Sequence, residues 1–167
     1  MYTQILVAID GSVTAARAFE TARKLARACG AQLQPLYVVA APAMAFDTPV
    51  PDRSAIRDAL MHEGRALIKE AEALMKRDGV EGAPRMIEPQ HPGDDIAHCI
   101  LRAADDLKAD LVVMGTRGRS GLRRLVLGSV AERVLRISPC PVMLIRGEDG
   151  EGPATQSQGQ TAAAPQA

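Results

Sequence analysis

Between two apolar segments lies the stretch "GTRGRSGLRRLVLGS", Gly115 to Ser129, with four glycines and four arginines in fifteen residues. Glycine has no Cβ, so Gly115 and Gly118 can let the backbone approach a ligand. Arg117, Arg119, Arg123 and Arg124 can meet a phosphate, or simply face water. A phosphate cradle and a solvated connector are built from the same ingredients. The stretch ends in Ser129-Val130-Ala131-Glu132, an S-x-x-E pattern that reads as a capping box starting a helix at Ser129. Such a helix aims its unpaired N–H groups and positive dipole end back into the loop, as helices do when they hold phosphate. The box forms with or without a ligand, so both readings stay open. A second candidate is "DGS", Asp10 to Ser12, directly after an apolar run. Asp10 either faces a ligand or caps the next helix, a duty Ser12 can share.

Competing chemistries find no support. The P-loop pattern G-x-x-x-x-G-K-[ST] is absent, and the first turn, "IDGSVTAA", lacks the G-x-G-x-x-G dinucleotide fingerprint. "GRSGL" is not a G-x-S-x-G nucleophile elbow. His62, His91 and His98 show no metal spacing, and Cys29, Cys99 and Cys140 form neither a C-x-x-C nor an even set. A reducing cytoplasm fits those cysteines. Lys+Arg and Asp+Glu both number 20, so no net field argues for nucleic acid or a membrane surface. Aromatic residues are 2% with no Trp, which removes the stacking platforms of single-strand binders. The start "MYTQILVAIDG" reads as a first strand rather than a secretory leader, and no run approaches a membrane span.

The positioning elements follow from periodicity. "QILVAI" (4–9) and "ADLVVMG" (109–115) are short apolar runs suited to strands buried on both faces. "AQLQPLYVV" (31–39) reads as a second strand with a bulge or irregular half at Pro35, and Val38 and Val39 read as core at its end. "APRMIEP" (83–89) is a weak third strand and "PVMLIR" (141–146) a final one. Helical spacing runs from Ala15 to Cys29, from Ile56 to Leu74, from Ile96 to Leu107, and through Val130, Val134 and Ile137. Gly30 suits a helix C-terminus, and Asp94 or Asp95 caps the third helix.

This alternation predicts an α/β fold: one Rossmann-like open parallel sheet of five strands, with right-handed crossovers and helices on both faces. In the order 3-2-1-4-5, the loops after strands 1 and 4 share the crevice where the order reverses, the usual ligand position. A single domain is expected over 1–146. The remainder, 147–167, has no aliphatic residue larger than Ala and reads as a disordered tail.

The glycine loop fits G-x₂-G-x₉-G-[ST]: Gly115, Gly118, then Gly128-Ser129. Set between "DLVVMG" and "SVAERVLRISPCPVMLIR", with "ILVAIDGS" and "LYVV" upstream, it resembles the ATP-binding branch of the universal stress protein family. The resemblance covers about residues 1–146. It implies ATP in the crevice, with Asp10 near the ribose and phosphates and helping a divalent metal such as Mg or Mn. Val38 would offer backbone groups to adenine beside the apolar walls of Ile9 and Met114. Gly115, Arg117 and Gly118 would line the ribose–phosphate path, and Gly128, Ser129 and Val130 would hold phosphates. Tyr37 stands where many relatives have His, and is expected to point into the core. The resemblance also implies a homodimer through the last strand, Val142 to Ile145.

The function so implied is a cytoplasmic, nucleotide-dependent regulator of stress response. The alternatives are a slow ATPase or adenylyl-transfer enzyme, a cyclic AMP-binding protein, and an interaction module with an empty crevice. No arrangement of catalytic base and arginine finger is legible.

Overall fold

A computed structural model of the chain describes residues 1–40, 53–90, 94–118 and 127–147. Five strands, β1 (Gln4–Ala8), β2 (Gln32–Val38), β3 (Arg85–Ile87), β4 (Leu111–Gly115) and β5 (Val142–Ile145), alternate with four helices. These are α1 (Val13–Cys29), α2 (Arg53–Asp78), α3 (Ile96–Leu107) and α4 (Ser129–Ile137). The strands are all parallel and lie in the order β3-β2-β1-β4-β5, as their apolar runs and helical connections predict.

Alternation along each strand sorts the core into two layers. Ile5, Val7, Ile9, Leu33, Tyr37, Leu111 and Val113 face one side, packed with Ala18, Phe19 and Ala22 of α1 and Ala71 and Met75 of α2. Leu6, Leu36, Val112 and Met114 face the other, against Ile100 and Ala103 of α3 and Ala131 and Val134 of α4. Helices therefore cover both faces, and β1, β2 and β4 are the most deeply buried strands.

The expected irregularity at Pro35 does not occur. The register of β2 on β1 runs unbroken from Gln4↔Gln32 through Val7↔Pro35 to Ala8↔Leu36. The reason lies in which way its missing donor points. Leu36 turns its carbonyl to β1, accepting from the Ile9 N–H, while Leu33 and Val39 direct their N–H groups to Glu81 and Ile87 on the β3 side. Pro35 has the parity of Leu33 and Val39, and the β3 pairing begins only at Leu36↔Arg85. No ladder bond is lost, so the strand needs no bulge.

Caps delimit the helices. Ser12 accepts the Ala15 N–H at 3.2 Å, and Gly30 closes α1 in the left-handed region at φ 64°. Of the two candidates at α3, Asp95 is the cap, accepting the His98 N–H at 2.9 Å, while Asp94 pairs with Arg102 at 2.7 Å. Tyr37 is 1% exposed, and α2 makes room for its ring with a glycine: a Cβ on Gly64 would lie 2.7 Å from two ring carbons. His91, and the expected tail beyond Gly147, lie outside the described residues.

Candidate functional site

The strand order reverses at β1 and β4, whose carboxyl ends adjoin through Leu6↔Val112 and Val7↔Val113. β1 opens into Asp10-Gly11-Ser12 and β4 into Thr116-Arg117-Gly118. Asp10 does not cap α1; Ser12 does. Instead, Asp10 Oδ1 accepts the Ser12 N–H at 2.9 Å, which folds the turn. Gly11 sits at φ 80°, a conformation that side chains rarely adopt, with Glu63 and Leu67 of α2 against it.

The second oxygen of Asp10 faces the glycine loop. A Cβ on Gly118 would lie 2.9 Å from Asp10 Oδ2, so the bare Cα lets carboxylate and loop touch. The loop is also closed at its far end, because the Gly128 N–H donates to the Thr116 carbonyl at 2.8 Å. A Cβ on Gly128 would lie 3.8 Å from the Gly118 nitrogen. Asp10, Arg117, Gly118 and Gly128 thus converge at one point above β1 and β4, with the start of α4 beside them.

The start of α4 departs from the sequence expectation. The helix begins at Ser129, but Ser129 is its first helical residue rather than its cap. Gly128, extended at φ −63° and ψ 146°, occupies the cap position, and no side chain caps the helix. Glu132 consequently does not close a capping box; it pairs with Arg136 one turn on, at 2.5 Å. The correction leaves the first N–H groups of α4 without the side-chain acceptor that the box would have supplied. Gly115 has a packing role as well. Its missing Cβ would lie 2.5 Å from Thr14 Oγ1 and 2.8 Å from Thr14 Cβ. The bare Cα there serves the packing of α1 on β4.

The expected adenine residues divide between the two faces. Ile9 is 8% exposed in the α1/α2 layer and Met114 is 5% exposed in the α3/α4 layer. Val38, half-buried, packs on the same side as Met114. Its carbonyl accepts the Ala40 N–H at 3.0 Å, leaving one lone pair for a further donor. Val130 is half-buried and Ser129 exposed at the start of α4. Arg119, Gly121, Arg123 and Arg124 lie outside the described residues. Among the described residues, no three His, Cys, Asp or Glu cluster to hold a metal.

Sequence reading missed Thr14. Its hydroxyl donates to the Arg117 carbonyl, and it is 7% exposed. A threonine in a helix's first turn carries no signal of such a bond, because the acceptor is 103 residues away. Two hollows among the described residues lie along α1 and α2, and the second of them reaches Ile9 and Gly11 at the end of β1. One, of about 150 Å³, is lined by Glu20, Arg23, Lys24, Arg27, Arg77 and Asp78. The other, of about 190 Å³, runs from Ile9 and Gly11 to Leu74. The first is walled by charged side chains and the second mainly by apolar ones, and neither is lined by described residues of the glycine loop. No helix among the described residues is long and apolar enough to cross a membrane.

Known proteins with this arrangement are numerous. A universal stress protein of Thermus aquaticus is 36% identical over 149 residues, covering 87% of this chain and all of the relative. A crystal structure of a universal stress protein family member from Burkholderia pseudomallei is 44% identical with a TM-score of 0.69, covering 86% of this chain and 96% of that one. A universal stress protein solved in complex with cAMP is 26% identical with a TM-score of 0.63, covering 86% and 98%. The model of the universal stress protein family matches residues 1–146, and the chain belongs to that family.

Proposed function

We propose that this protein binds an adenine nucleotide, ATP foremost, at the β1/β4 crest and acts as a cytoplasmic, nucleotide-dependent regulator of stress response rather than a fast enzyme. The observation that carries the reading is the convergence of Asp10, Gly118 and Gly128 beside a helix N-terminus without a side-chain cap. Main-chain N–H groups at the start of a helix are ready anion donors. The relative solved with cAMP supports an adenine nucleotide as the ligand class.

In this reading, Ser129 and Val130 hold the phosphates through main-chain N–H groups and the Ser129 hydroxyl, while Gly128, whose own N–H closes the loop on Thr116, lets the chain approach them without a side chain. Asp10, Gly115, Arg117 and Gly118 border the ribose–phosphate path. Val38 supplies backbone groups to adenine, with Ile9 and Met114 as the apolar residues on either side of the sheet. A divalent ion such as Mg or Mn would reach the site on the triphosphate, with Asp10 as the carboxylate nearest it. Residues Val142 to Ile145 of the edge strand β5 are half-buried in one chain, and pairing with a second copy would complete their burial.

Equilibrium titration of the purified protein with ATP tests the reading. Binding at micromolar to submillimolar concentration is expected, and no binding at millimolar nucleotide overturns it. The cAMP-bound relative favours one second reading, a cyclic nucleotide as physiological ligand. Mass spectrometry of nucleotide released on denaturing freshly purified protein separates the two.

A further inference from the structure

Thr14 sits in the first turn of α1, against three separate parts of the crest. Its Oγ1 donates to the Arg117 carbonyl. Its side chain and backbone occupy the space that a Cβ on Gly115 would need, and its Cγ2 lies 3.2 Å from a Cβ built on Gly147. The Ser12 hydroxyl is 3.3 Å from Thr14 Oγ1 and 3.5 Å from the same carbonyl. The Ser12 hydroxyl reaches that carbonyl only at 3.5 Å and Thr14 is much closer, so Thr14 is the principal donor to Arg117.

Anchoring that carbonyl has a consequence for the next residue. The peptide joining Arg117 to Gly118 is planar, and the described chain has no cis bonds. In a trans peptide the N–H points opposite to the C=O. With the carbonyl held toward α1, the Gly118 N–H is turned away from α1. A glycine has no Cβ to resist rotation of its neighbouring peptide, so the bond from Thr14, the closer of the two hydroxyls on this carbonyl, is a principal restraint on that plane.

We infer that Thr14 is a positioning residue: by holding the Arg117 carbonyl it fixes the Gly118 N–H as a donor to the phosphate portion of the ligand. The inference rests on the nucleotide reading above and deepens it. Thr14 touches no ligand itself. Its effect is confined to interactions made through the glycine loop, and adenine and ribose contacts elsewhere do not depend on it.

The experiment compares wild type, Thr14→Val and Thr14→Ser in titrations with ATP and with adenosine. The NMR order parameter of the Gly118 N–H is followed in the nucleotide-free proteins. Valine keeps the shape and removes the donor; serine keeps the donor. The expected result is an ATP Kd raised about tenfold in Thr14→Val and restored to within about threefold in Thr14→Ser. Adenosine affinity stays unchanged, and the Gly118 order parameter falls in the valine variant alone. Equal losses of ATP and adenosine affinity, or no loss of either, would overturn the inference. If wild type binds no nucleotide, the functional reading fails instead. The anchoring is then decided by the order parameter alone: an unchanged value in Thr14→Val refutes it, and a lower one sustains it.

Discussion

Gly118→Ala offers a sharp test, because its effect can be traced to a single neighbouring atom. Gly118 is not among the glycines with positive φ, so its backbone accepts alanine without strain. The obstacle is Asp10 Oδ2, 2.9 Å from the new methyl. Ordinary C···O contacts are about 3.3–3.6 Å, so the carboxylate must retreat by roughly half an ångström. Its other oxygen accepts the Ser12 N–H at 2.9 Å, and the retreat carries that bond beyond about 3.2 Å, the usual limit. A hydrogen bond to a charged group contributes about 1.5–3 kcal/mol when shielded. Asp10 is half-exposed and water replaces part of the loss, so the lower end applies.

If the loosened turn must be re-formed for nucleotide to bind, that cost falls on binding, and the expected outcome is an ATP Kd raised about tenfold, equivalent to ~1.4 kcal/mol. The mechanism is checked by repeating the substitution in an Asp10→Ala background. There the methyl has no carboxylate to displace, and Gly118→Ala should cost less than about twofold. The two changes share one contact, so they must be non-additive. A tenfold penalty that persists without Asp10 refutes this reasoning, and shows that Gly118 is bare for the ligand itself.

Three further substitutions probe the frame. Gly115→Ala places a methyl 2.9 Å from the Thr14 carbonyl carbon, which is backbone and cannot swing aside. Overpacking of about 1–3 kcal/mol should lower the melting temperature by several degrees without nucleotide, and an unchanged melting curve refutes the packing role. Gly64→Ala gains about 1 kcal/mol of helix propensity but drives a methyl into the buried Tyr37 ring at 2.7 Å. The clash should win, so a rise in melting temperature counts against the argument. At Asp110, desolvation pushes the carboxyl upward, but bonds from the Thr3 hydroxyl, Thr3 N–H and Gln4 N–H outweigh it and hold it below the usual aspartate range. A depressed folded-state pKa gives stability that is present above about pH 4 and lost as pH falls through the folded value. The stability difference between wild type and Asp110→Asn should therefore be clear at pH 7 and shrink below pH 4. A pH-independent difference in denaturant melts refutes the assignment.

The fold was legible because each strand is a short apolar run and each helix has its own face, so local pattern and global topology agree. Where reading failed, the deciding partner was distant in the chain. Pro35 looked like a break because composition does not say which side of β2 its missing N–H faces; β3 decides that, by starting one residue later. Ser129-x-x-Glu132 looked like a capping box because the pattern fits, but the chain closes Gly128 onto Thr116 and places Gly128 at the cap. Thr14 was invisible because its acceptor is a main-chain carbonyl, and main-chain groups leave no mark on sequence.

The glycine spacing can now be divided by cause. Gly115 is bare because Thr14 presses on it, a requirement of α1 packing on β4 that exists with or without a ligand. Gly128 is bare at the point where the chain returns to Thr116, and its Cβ would meet that carbonyl at 3.3 Å, a tight contact but one that a small shift relieves. Helix packing accounts for the first and loop closure for the second. Gly118 is different, because what it avoids is a carboxylate. The turn at Ser12 needs an acceptor at position 10, and a neutral Asn would serve the Ser12 N–H as well as Asp10 does. Packing therefore explains an acceptor at position 10 but not a negative charge, and it explains a close approach of the loop only to that side chain. The Asp10–Gly118 pair is the part of the motif that the fold alone leaves unexplained, so the nucleotide reading gains or loses most from measurements made there.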